Sequence, residues 1–98
     1  MSICIIFNPA ARGEKARKFQ RSLEAFHGKF ALKPTHCAGA ARSLAAIAVQ
    51  EGYTTIVAAG GDGTLNEVLN GIADSEHGFE RTRLGVLPLG TINVLRAN

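Results

Sequence analysis

Tryptophan is absent from this 98-residue chain, tyrosine occurs once, and aromatic residues make up 6% of it. No aromatics interleave with the basic residues, as single-stranded nucleic acid would require, so nucleic acid is set aside as a partner. Cysteine occurs only as Cys4 and Cys37, and neither these nor His27, His36 and His77 stand at zinc-binding spacings. Cys4 lies inside an apolar run and reads as a small hydrophobe. No stretch approaches the ~18 apolar residues of a membrane span. The apolar run Ile3 to Phe7 is too short for a signal peptide and has no basic residue before it. A cytoplasmic protein is expected.

The apolar share is 46%, which excludes disorder and suits one alanine- and valine-rich domain. Formal charge is a mild +3. Arg12, Lys15, Arg17, Lys18 and Arg21 carry much of it. They read as a solvated helix face or as a patch for phosphates or an anionic membrane surface. Arg12 is the best anion candidate among them, because it falls near a helix start, where a cation opposes the macrodipole.

Ile3 to Phe7 is a continuous β-branched and aromatic run, suited to a strand buried on both faces. Ala16, Phe19, Leu23 and Phe26 recur at helical steps and predict a helix from Gly13 to His27. A short strand over Phe30 to Thr35 follows, with Pro34 weakening its end. Ala41, Leu44, Ala45, Ala48 and Val49 predict a second helix closed by Gly52, and Thr54 to Ala59 a further buried strand. A third apolar stripe, Leu65, Val68, Leu69 and Ile72, leads into a polar loop from Asp74 to Arg83 and a strand from Leu84 to Leu87. Ile92 to Ala97 reads as the start of a last helix. Such alternation predicts an α/β fold, a parallel sheet with helices on both faces and right-handed crossovers.

Sites in such sheets lie beyond the carboxyl ends of the strands. Asn8 to Gly13, Gly60 to Thr64 and Pro88 to Asn93 meet that condition, and all carry glycine and polar side chains. The densest is Ala58-Ala59-Gly60-Gly61-Asp62-Gly63-Thr64-Leu65-Asn66-Glu67, which joins a strand pattern to a helix pattern. Glycines let main-chain amides approach an anion, and the following helix turns its positive end to the same point. No lysine follows, so the run is not a Walker A loop. Gly61 and Gly63 fit a dinucleotide fingerprint, but its third glycine is replaced by Asn66. Backbone amides of Gly61 to Thr64, with the hydroxyls of Thr64 and Thr91, are candidates for phosphate. Asp62 is a candidate for holding Mg²⁺ through water or for accepting the proton of an attacking hydroxyl.

Gly60 to Gly71 resembles the signature of the diacylglycerol kinase catalytic domain family, which includes bacterial lipid kinases and sphingosine kinases. Asn8-Pro9-Ala10-Ala11-Arg12-Gly13 and Leu87-Pro88-Leu89-Gly90-Thr91-Ile92-Asn93 are similar to its flanking motifs. The Asn66-Glu67 continuation favours the lipid kinases over NAD kinases, which share the shorter glycine core. The resemblance implies a Rossmann-like, three-layer nucleotide-binding domain, here residues 1–98, followed by a second, β-rich domain outside them. ATP would lie between the two with Mg²⁺ on its phosphates. The implied ATP contacts are Asn8, Pro9, Ala10, Ala11, Arg12, Thr35, Gly61, Asp62, Gly63, Thr64, Leu65, Asn66, Glu67 and Thr91. Asp62 would take the metal and phosphate role, and the general base would lie in the second domain. Val94 stands where relatives often carry aspartate, and Ala40 where they often carry a polar residue.

The function so implied is transfer of the γ-phosphoryl group of ATP to a lipid hydroxyl. Its alternatives are an NAD kinase-like enzyme and a non-catalytic nucleotide-binding module. Peripheral contact at the inner membrane face is a further expectation, as is a homodimer joined through exposed apolar surface.

Overall fold

The computed structural model describes residues 2–8, 21, 30–87 and 93–95. Its elements run β1 (Ile3–Phe7), β2 (Phe30–Pro34), α1 (Ala40–Gln50), β3 (Thr55–Ala59), α2 (Asp62–Asp74), α3 (Gly78–Arg81), β4 (Arg83–Leu87) and β5 (Asn93–Leu95). They form one sheet in the order β2-β1-β3-β4-β5. The first four strands are parallel, and β5 joins β4 antiparallel. This is the expected α/β class. The helix expected from Gly13 to His27 lies outside the described residues apart from Arg21, which is helical and exposed.

Strand alternation sends neighbouring residues to opposite faces. Cys4, Ile6, Ile56, Ala58 and Leu84 face α1 and α2, where they meet Ala41, Ala45, Ala48, Val49, Val68 and Ile72. On the other face Ile5, Val57, Ala59 and Leu87 form a second buried cluster with Ile3, Phe7 and Phe30. Every residue of β3 is buried, so a run of β-branched and small residues without polar alternation occupies the middle of the sheet.

Helix α1 ends as its composition predicts. The amide of Gly52 donates to the Val49 carbonyl and that of Tyr53 to the Ala48 carbonyl, a Schellman arrangement. Helix α2 lies against α1 at Gly71, where a Cβ would collide with the Arg42 carbonyl and come within 2.7 Å of the Ala45 methyl. Beside that contact, Arg42 Nε and Nη2 donate to Asp74 Oδ2 and Oδ1 at 2.6 and 2.8 Å.

Two expectations are corrected. Residues 93–95 were expected to open a helix and instead form β5, in register with β4 through Leu84↔Leu95, Gly85↔Val94 and Val86↔Asn93. The unpaired edge of β4 offers main-chain partners there, and pairing outweighs a weak local helical preference. Within the expected loop from Asp74 to Arg83, residues Gly78–Arg81 make a single helical turn. Its start is Gly78, packed so closely on the Ile72 carbonyl that no side chain fits.

Candidate functional site

Phe7, Pro34 and Ala59 are the last residues of three strands paired in register. Asn8, Thr35 and Gly60 therefore leave the sheet side by side at its carboxyl edge, which is where binding sites of this architecture lie. Thr35 is fixed locally: its amide and its hydroxyl both donate to the Phe7 carbonyl, at 2.9 and 3.3 Å. Gly60 turns the chain with φ +154°, and α2 starts two residues later.

The start of α2 carries no side-chain cap, and Gly61 at the cap position has extended φ and ψ of −90° and −169°. Its first amides have no acceptor within the helix and are directed out along the axis. Helix α1 likewise begins at a glycine, Gly39, without a side-chain cap or an acid in its first turn. Two positive helix ends thus face the same region.

Between them lies a cleft of about 530 Å³, lined by Asn8, Thr35, His36, Cys37, Ala38, Ala41, Thr64 and Glu67. Its size falls in the range of about 300–1,000 Å³ usual for small-molecule sites. The cleft brings together four of the residues expected from the sequence, namely Asn8, Thr35, Thr64 and Glu67. Gly61, Asp62 and Gly63 are exposed at the helix start and do not line it. Asn66 is exposed, with its carbonyl accepting the Asn70 side-chain amide at 2.8 Å, and Leu65 packs against the core. Pro9, Ala10, Ala11, Arg12 and Thr91 lie outside the described residues.

The segment His36 to Ala38, together with Ala41, was not foreseen as part of the site. The available signal was positional, since these residues directly follow a parallel strand, as the other candidate loops do. Cys37 is an exposed thiol in this wall. Cys4, by contrast, is a core residue whose thiol burial pushes up to about 11.

A Cβ added at Gly61 or Gly63 would meet nothing within 4 Å. Neither packing nor an unusual backbone angle demands glycine there, and the free space lies beside amides that lack partners in the helix. Exposed amides at a helix start are open to an anion from solvent. Among the described residues no three of His, Cys, Asp or Glu gather as a metal site. No helix among the described residues is long and apolar enough to cross a membrane.

Fold and cleft together define a Rossmann-like α/β domain with its site at the carboxyl edge of the sheet. Comparison with known families gives the narrower assignment. The family described as diacylglycerol kinase catalytic domain matches residues 2–98, and the chain belongs to that family. It is 41% identical over 96 residues to a diacylglycerol kinase of Staphylococcus aureus, covering 91% of this chain and 29% of that protein. To a diacylglycerol kinase of Staphylococcus saprophyticus it is 48% identical over 59 residues, 60% of this chain and 18% of the relative. The chain thus spans less than a third of the length of these curated relatives.

Proposed function

We propose that this chain is the ATP-binding part of a lipid kinase that transfers the γ-phosphoryl group of ATP to a lipid hydroxyl, with a diacylglycerol-like or sphingoid acceptor. The observation that carries the reading is the vacant space at Gly61 and Gly63 beside the uncapped start of α2. Family membership and the diacylglycerol kinase relatives support the same conclusion.

In this reading the amides of Gly61 to Thr64 take phosphate oxygens and the Thr64 hydroxyl donates a further hydrogen bond. Asp62 and Glu67 are the carboxylates available for Mg²⁺, with Asp62 acting through water. The ion supplies charge neutralisation on the phosphates. Phosphoryl transfer depends chiefly on positioning and electrostatics, so this chain's contribution is to hold the donor and fix its orientation. Asn8 and Thr35 close the opposite wall. Pro9, Ala10, Ala11, Arg12 and Thr91 complete the proposed ATP contacts. A lipid acceptor is met at a membrane surface, so peripheral attachment at the inner face belongs to the proposal. Self-association belongs to it too, through apolar side chains such as Leu32, Ile47 and Leu69, which are 42%, 51% and 41% exposed.

Calorimetry with magnesium-ATP tests the binding step, and labelled transfer to diacylglycerol, sphingosine and NAD tests the acceptor class. In the full-length kinase, Asp62→Ala is expected to abolish transfer. The fold should survive, because Asp62 is exposed and its loss removes only a first-turn acid worth less than about 1 kcal/mol. Near-normal turnover by that variant would refute the role given to Asp62.

A further inference from the structure

We infer that Gly60, which lies outside the stretch assigned to phosphate, is a positioning residue for the Thr64 hydroxyl; the inference rests on the reading of this site as a nucleotide site. A Cβ at Gly60 would lie 2.9 Å from Thr64 Oγ1, 3.2 Å from Thr64 Cβ and 3.6 Å from Thr64 Cγ2. All three nearest atoms belong to one side chain, so Thr64 occupies the volume that any other residue at position 60 would fill. Gly61 and Gly63 differ in that nothing lies within 4 Å of the corresponding positions. The three glycines of the elbow thus divide into two kinds. Gly61 and Gly63 leave room beside the amides, whereas Gly60 leaves room for the threonine.

The consequence for Thr64 is orientational. It is half-buried, lines the cleft, and sits in the first turn of α2. A β-branched side chain in a helix has few staggered positions, so a neighbour that forbids one of them decides where the hydroxyl points. A methyl group at position 60 would force Thr64 into another rotamer or push the first turn of α2 away from β3. Either change moves the hydroxyl out of its present place in the cleft wall.

Magnesium-ATP affinity of Gly60→Ala, Thr64→Ala and the double variant forms the test, with the Thr64 methyl resonance followed in the nucleotide-free protein. Each single change is expected to weaken binding roughly tenfold or more, the loss of one hydrogen bond to a charged group. The double variant should lose less than the product of the two single losses, because the clash with the hydroxyl is gone while the strain of a side chain at φ +154° persists, and the Thr64 methyl signal should shift in Gly60→Ala before nucleotide is added. Losses that simply multiply, or a methyl signal that stays in place, would overturn the inference. Should Gly60→Ala fail to fold, recovery of folding in the double variant supports it. A double variant no better folded shows instead that the glycine serves only its backbone angle, and overturns it. If the unaltered chain binds no magnesium-ATP, the functional reading falls, and the hydroxyl's task with it. A methyl shift in Gly60→Ala would then show that the packing of Gly60 on Thr64 is real and that the error lies in the ligand.

Discussion

Glycine inside the first turn of a helix costs stability, up to about 1 kcal/mol relative to alanine. Gly63 carries that cost although a Cβ there would meet nothing within 4 Å. Gly63→Ala is therefore expected to stabilise the fold by about 0.5–1 kcal/mol, read as a higher urea midpoint. The same change should weaken magnesium-ATP binding in calorimetry, because the added methyl occupies the space kept beside the amides. A variant with greater stability and unchanged affinity would remove Gly63 from the proposed site. Thr35 shows what residues alone leave undetermined. By its identity it is an ordinary strand-end threonine, and its place in the cleft follows from bonding to Phe7 across the sheet.

At the scale of elements, the contact between α1 and α2 depends on Gly71. Gly71→Ala drives a methyl group into the Arg42 carbonyl and the Ala45 side chain. A loss of about 1–3 kcal/mol is expected from such overpacking, measured by denaturant titration. The neighbouring Arg42–Asp74 pair has a pH signature. Its hydrogen bond and charge hold the Asp74 carboxyl below its ordinary 3.8. Its contribution is thus complete above that value and is lost as pH falls through the lowered one. Comparing acid unfolding of the parent with Asp74→Asn should show this dependence only in the parent; identical curves would deny the pair any role. The elements themselves were largely legible: β1 runs over Ile3–Phe7 as the apolar run predicts, and α1 spans Ala40–Gln50 around the predicted stripe. β5 was not, because Asn93–Leu95 is too short to show a period and its strand state depends on the free edge of β4.

Considered whole, the central strands carry buried residues on both faces, and Cys4 lies fully inside the core. Burial raises its thiol from 9.0 to about 11. The unfolded chain releases this proton first, so the thiol's contribution is intact below pH 9 and is lost as pH rises through about 11. Alkaline unfolding of Cys4→Ala should accordingly fall less steeply over that interval than that of the parent. Equal slopes would mean that Cys4 meets water in the folded state.

What the chain determined by itself was local and periodic. Alternating strand and helix patterns set the class, and the glycine elbow with Asp62, Thr64, Asn66 and Glu67 marked the phosphate candidate, because spacing and residue type act over a few positions. Tertiary structure alone decided which segments meet. Parallel registry brings Asn8, Thr35 and Gly60 to one edge, the crossover after β2 delivers His36 to Ala38 and Ala41 to the cleft, and β5 exists through its partner strand. Those outcomes depend on contacts between residues far apart in sequence, and no local pattern records them.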